Sequence, residues 1–214
     1  MTDIEKIITS LRNNSYLKID LEDSANALYD ESGWPNLIWE ADLSGVDLSG
    51  LDLSHAYLCG INFSDAKLIG TKLYKADLRN TKLEHANLSS ADLTGANLES
   101  AYLQYANFQN ANLTEANLSD TYAYNINLCG ANLKKANLNN GEFEKANIEN
   151  ANLSEATLIE ANLRGANIET TDLSWSNLSN ADLREAVLTK VKMEGAKFTG
   201  VDSRGAHLDG KMLY

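Results

Sequence analysis

From Ala41 to Gly210 an apolar residue recurs at every fifth position without insertion or deletion, which makes 34 consecutive units of five. The centres run Leu43, Leu48, Leu53, Leu58, Phe63 and onward to Leu208. They are Leu, Phe, Ile or Met in 32 units, and the two exceptions are Ala123 and Ser203. All four phenylalanines fall in this register. Two residues before the centre stands Ala in 22 units, and between them stands Asn or Asp in 22 units, giving the consensus A-(N/D)-L-x-x. The positions of a unit are called first to fifth, the apolar centre being the third.

An α-helix turns about 100° per residue, so a period of five carries the leucines around every side and leaves no apolar face. A flat strand alternates every two residues, and an odd period sends successive leucines to opposite faces. The chain therefore has to turn within each unit. If each unit supplies one short edge and one corner, four units close a square of twenty residues. First and third positions then point inward, the other three point outward, and coils stack at about 4.8 Å.

Segments such as ANLTE, from Ala111 to Glu115, resemble the pentapeptide-repeat family over Ala41 to Gly210. The resemblance implies an all-β solenoid, a right-handed quadrilateral β-helix, here of about 8.5 coils and a length of roughly 40 Å. Two segments are expected: residues 1–40 as an N-terminal capping segment, and residues 41–214 as the β-helix. Within the first, Ile4, Ile7, Ile8 and Leu11 share one helical face, which predicts a short α-helical cap. Covering an open solenoid end is its default role, and a dimer or partner contact is the alternative. The chain ends four residues after the repeat, so the C-terminal end is shielded by its own last residues or stacked on another copy as an end-to-end homodimer.

Composition and charge narrow the function. The formal net charge is −12, which argues against direct binding to nucleic acid or to an anionic membrane, because both require a basic surface. The first twelve residues mix acids and bases with no apolar run, so neither a signal peptide nor a membrane span is expected and the chain reads as cytoplasmic. On the square lattice, residues twenty apart share a side and residues ten apart lie on opposite sides. His55, His85 and His207 fall on three different sides and cannot converge on a metal or serve one nucleophile. Cys59 and Cys129 fall on opposite sides, beyond the 7 Å that a disulfide tolerates, and free thiols are expected. The Asn-x-Ser/Thr triplets are by-products of the consensus, and the carboxylates lie on a solvated surface that does not tune them for acid-base work. With Leu and Ala filling the interior, no cofactor, no small-molecule substrate and no enzymatic activity are expected.

One side differs. Its units are centred on Leu43, Phe63, Leu83, Leu103, Ala123, Phe143, Leu163, Leu183 and Ser203, and it includes both exceptions to the apolar rule. Ala123 lies one coil from Phe143, where a small residue makes room for the ring. Tyr102 and Tyr122 stack twenty apart with Tyr105 and Tyr124 beside them, and Arg164, Arg184 and Arg204 form a second stack. Exposed tyrosines and arginines are typical of protein interfaces, which makes this side the candidate site for an unidentified protein partner. The competing reading is a tyrosine ladder that only supports neighbouring strands, with Glu144, Asp182, Glu185 and Asp202 neutralising the arginines.

The family resemblance adds an alternative function, since some members mimic duplex DNA and bind gyrase. Acidity and rod shape permit a modulator of DNA gyrase or topoisomerase. Against it, Asn outnumbers Asp 14 to 8 at the second position, and no Asp stands there from Asn97 through Asn167. The loops that interrupt the coils of gyrase protectors and their C-terminal dimerisation extension are also missing from the pattern. The favoured reading is a non-enzymatic scaffold that presents flat sides to another protein.

Overall fold

The computed structural model describes residues 41–209. The predicted capping helix, at Ile4 to Leu11, and the last five residues lie outside the described residues. Within them every second-position residue pairs in parallel with the residue twenty further on, from Asp42 with Asn62 to Asp182 with Asp202. This register makes a coil of four units, a four-sided parallel β-helix. The edges are so short that only the last pair reads as strands, β1 (Val187–Leu188) and β2 (His207–Leu208).

The backbone hydrogen bonds explain the period of five. In each unit the second N–H donates back one coil and the third donates forward, as Asn62 to Ala41 and Leu43 to Asn62. The fifth N–H also donates forward, as Gly45 to Ser64. The next first-position N–H closes a tight turn onto the third carbonyl, as Ala66 does to Phe63. Every fifth residue from Gly45 to Gly205 has positive φ, ten of them Gly. A four-residue turn with a left-handed third residue is the type II signature, so each unit ends in one corner.

That leaves the fourth N–H, and the second side chain takes it. All 22 second-position Asn and Asp residues accept this hydrogen bond through Oδ1, at 2.9–3.3 Å. These are Asx turns, in which a short polar side chain satisfies the backbone two residues on. Ten of the 14 asparagines add a second bond, their amide N–H₂ donating to the coil before. Asn127 donates to Asn107 at 3.0 Å, and Asn137 to Asn117 at 3.0 Å. The second position is therefore folded onto the backbone rather than simply turned to solvent, and most of its Asn residues are half-buried. Second positions lie on the outer side of the coil as expected, but their Asn and Asp side chains bend back onto the backbone there.

Third-position leucines and first-position alanines fill one continuous core, with Phe63, Phe108 and Phe143 fully buried. Its partly buried members lie at the ends, among them Val46 and Leu51 at one and Met193, Phe198 and Leu208 at the other. Where Thr or Ser replaces a first-position Ala, the buried hydroxyl donates to a carbonyl, as Thr121 does to Leu118 at 2.9 Å. The Phe143 ring is accommodated by Gly141 in its own unit, where a Cβ would stand 2.3 Å from the ring edge. That contact, rather than the neighbouring Ala123 alone, gives the ring its room.

Candidate functional site

The Asx turn gives a rule against which each side can be judged. In the middle coils the second side, which starts with the unit at Val46, carries Asn87, Asn107, Asn127, Asn147 and Asn167 without a break. The third carries Asp92, Asn112, Asn132, Asn152 and Asp172, and the fourth carries Asp77, Asn97, Asn117 and Asn137. Thr157 continues the fourth ladder by donating to Asn137 at 3.1 Å. On the first side the same four coils carry Lys82, Tyr102, Tyr122 and Glu142, none of which forms an Asx turn. A local rule broken in four consecutive coils, on one side only, is what singles this side out as the candidate.

The structure gathers all four candidate tyrosines there. The rings of Tyr102 and Tyr122 stack at 5.2 Å with an interplanar angle of 10°. Tyr105 and Tyr124 meet edge to face at 5.3 Å and 84°, and His85 stacks flat on Tyr105 at 5.0 Å. The patch thus runs from the flat side around the corner formed by the fifth positions. All four tyrosines are exposed, from 38% at Tyr102 to 49% at Tyr105. Tyr105, Tyr124, Asn125, Glu144 and Lys145 line an open recess. Beside it the side-chain oxygen Oε1 of Gln104 is buried without a hydrogen-bond partner, an uncommon cost in a folded protein. The unit 101–105 therefore lacks an Asx bond and leaves an acceptor unpaired.

Arg164, Arg184 and Arg204 occupy the same side further along, but they are not brought to the tyrosines. Arg184 forms a fork with Asp182, with Nε 2.8 Å from Oδ1, and Arg204 does the same with Asp202 at 2.9 Å. Arg164 reaches the next coil and binds Glu185 at 2.9 Å. Hydrogen bonds from the arginines hold the carboxyls of Asp182 and Asp202 below the usual range. These guanidinium groups are already engaged, so the open part of the candidate side is the tyrosine patch. Glu144 pairs with Lys145 at 3.6 Å instead of with an arginine.

Elsewhere the chemistry is quiet. Among the described residues no group of three or more His, Cys, Asp or Glu side chains is arranged to hold a metal. Cys59 and Cys129 are unbonded to each other and half-buried. Burial, helped by the charge of Asp77, pushes the Cys59 thiol up, away from the thiolate a nucleophile needs. No helix among the described residues is long and apolar enough to cross a membrane.

The family model for pentapeptide repeats (8 copies) matches residues 41–80, 81–120, 111–150, 142–174 and 169–202. The chain belongs to the pentapeptide-repeat family. Like the family's solved members it is a right-handed β-helix solenoid. It is similar to full-length QnrB1, a plasmid-mediated fluoroquinolone resistance protein, at 22% identity over 80% of this chain and 93% of that one, with a TM-score of 0.58. Trypsin-treated QnrB1 gives 22% identity, coverage of 80% and 91%, and a TM-score of 0.59. HetL, a pentapeptide repeat protein involved in heterocyst differentiation regulation in Nostoc, is 26% identical over 82% of this chain and 94% of its own, with a TM-score of 0.39. No curated protein is significantly similar in sequence. At these identities the likeness to solved pentapeptide-repeat proteins concerns the fold alone.

Two features of this pentapeptide-repeat rod are absent from the sequence reading. His85 extends the tyrosine patch, and its twenty-residue spacing from Tyr105 is the signal that carried that information. Trp175, on the third side, is 63% exposed and holds a left-handed backbone, φ 62°, unusual for so bulky a residue. Its ring lies over Gly195 one coil on, where a Cβ would fall 2.4 Å from the indole.

Proposed function

We propose that this pentapeptide-repeat chain is a non-enzymatic scaffold that docks a protein partner through the tyrosine-bearing first side. The observation that supports this most is the break in the Asx rule. Four consecutive middle coils give up a fold-supporting hydrogen bond, and two of them replace it with exposed tyrosine. Tyrosine supplies large, rigid contact area at low entropy cost and is enriched at the energetic centres of interfaces. Replacing Tyr102 and Tyr122 together with Ser is expected to abolish capture of the partner while the thermal midpoint stays nearly unchanged. Loss of the folded state in that variant supports the strand-supporting ladder instead.

End-to-end association is part of the same reading, because Met193, Phe198 and Leu208 are only partly buried at the C-terminal end. Light scattering is expected to give a dimer mass, and a strict monomer removes it. A second reading, modulation of DNA gyrase by mimicry of DNA, draws on the acidic balance and on the fold shared with a fluoroquinolone resistance protein. All eight second-position aspartates are tied to backbone N–H groups, and each of the four sides between residues 41 and 209 carries only one to three net negative charges. No effect on gyrase supercoiling at micromolar protein eliminates this second reading.

A further inference from the structure

We infer that the recess between Tyr105 and Tyr124 is a binding site for the guanidinium of an arginine side chain on the partner. This rests on the reading of the first side as a docking surface and gives that surface a chemistry. His85 covers one face of the Tyr105 ring, Tyr105 and Tyr124 pack edge to face at 84°, and the recess beside them is completed by Glu144, Lys145 and Asn125. The recess is open to solvent and measures about 340 Å³, at the low end for ligand pockets and ample for one arginine side chain. Aromatic faces attract cations through the ring quadrupole, and a carboxylate beside them supplies the opposite charge.

The local pairing favours arginine. Among the described residues the Glu144 carboxylate pairs with Lys145 alone, at 3.6 Å and with 66% of the lysine side chain exposed, a solvent-screened contact that is easily displaced. A guanidinium lies flat on a tyrosine ring and offers a carboxylate two parallel N–H donors, whereas an ammonium offers a point charge. The three arginines already on this side show the contrast, since each is held by a carboxylate and none lines the recess. The formal charge of −12 makes a basic partner segment the complementary one.

The test is a titration of the full chain, carrying ring-labelled tyrosine, with the amides of N-acetyl-arginine, N-acetyl-lysine and N-acetyl-citrulline, followed by NMR. Arginine amide is expected to shift the Tyr105 and Tyr124 ring signals saturably, with lysine about threefold weaker. Citrulline, isosteric but uncharged, is expected to give no saturable shift. Glu144→Gln is expected to weaken arginine about fivefold, and Tyr105→Asn, which suits the left-handed corner, about threefold. Tyr74→Ser, on the third side and away from the recess, leaves arginine binding unchanged. Equal shifts from citrulline, no saturable shift from arginine, or full affinity in Glu144→Gln overturns the guanidinium site. A chain that loses its partner on Tyr102→Ser/Tyr122→Ser yet shows no response to arginine keeps the docking side and loses this site.

Discussion

The second side of the rod and the first are built on one backbone, with the same turn, the same twenty-residue register and the same buried core. In their middle coils they use the second position in opposite ways. Asn87 through Asn167 fold their side chains back onto the backbone, each capping a backbone N–H, and their amides join neighbouring coils, at 3.0 Å between Asn127 and Asn107. Lys82, Tyr102, Tyr122 and Glu142 make no such cap, and the two tyrosine rings meet each other with outer surfaces open to solvent. A five-residue repeat thus holds two kinds of information. Its first, third and fifth positions, and most of its second positions, specify the fold, and the second positions released from capping on the first side carry the surface proposed for docking.

The largest expected effects fall on what both sides share. Leu103→Ala and Leu128→Ala, one on each side, are each expected to cost about 2–5 kcal/mol in chemical denaturation. A clear difference between them breaks the premise of a common core. Gly141→Ala drives a methyl into the Phe143 ring and is expected to cost about 1–3 kcal/mol. Restoration by Phe143→Leu in the same background checks that cause.

The sides separate at the second position. Asn127→Ala removes the cap on the Cys129 N–H and the bond to Asn107, and is expected to cost about 2 kcal/mol. Tyr122→Ala removes one exposed ring contact and is expected to cost less than about 1 kcal/mol. Equal losses would erase the distinction between the sides.

Acid sharpens the comparison further. Asp182 and Asp202, on the first side, are held low chiefly by their arginines, and Asp172, on the third, chiefly by Ser174. A carboxyl with a depressed folded value contributes stability that is complete above its unfolded value and disappears as pH falls through the folded one. The thermal midpoint is expected to be flat from neutral pH to about 5 and to decline below about 4. The asparagine ladder of the second side does not titrate. Amide exchange in the units of Asn87, Asn107 and Asn127, which carry no carboxyl, is expected to hold to lower pH than in the units of Asp182 and Asp202.

Much of this was legible before the structure. An unbroken period of five, with Leu and Ala two apart, gives the inward positions, the family resemblance implies the four-sided coil of twenty residues, and the bridges bear that register out. The tyrosine cluster followed from spacing alone. The role of Asn and Asp did not, because the consensus shows a polar residue and only turn geometry shows which N–H it accepts. The arginines were placed on the right side, yet their engagement depends on the Asp two residues earlier, a fork that spacing on a lattice does not reveal. Gly141 escaped notice for a similar reason, since the space a ring needs depends on where it points and not on the column it belongs to.

The central claim is that Tyr102 and Tyr122 stand where the fold alone would have placed asparagine. The double variant Tyr102→Asn/Tyr122→Asn, which restores the consensus in both units, tests it directly by thermal unfolding. A midpoint equal to or above that of the unaltered chain is the predicted result, because two Asx bonds replace one exposed ring pair. A clearly lowered midpoint would contradict it and return the tyrosines to the fold.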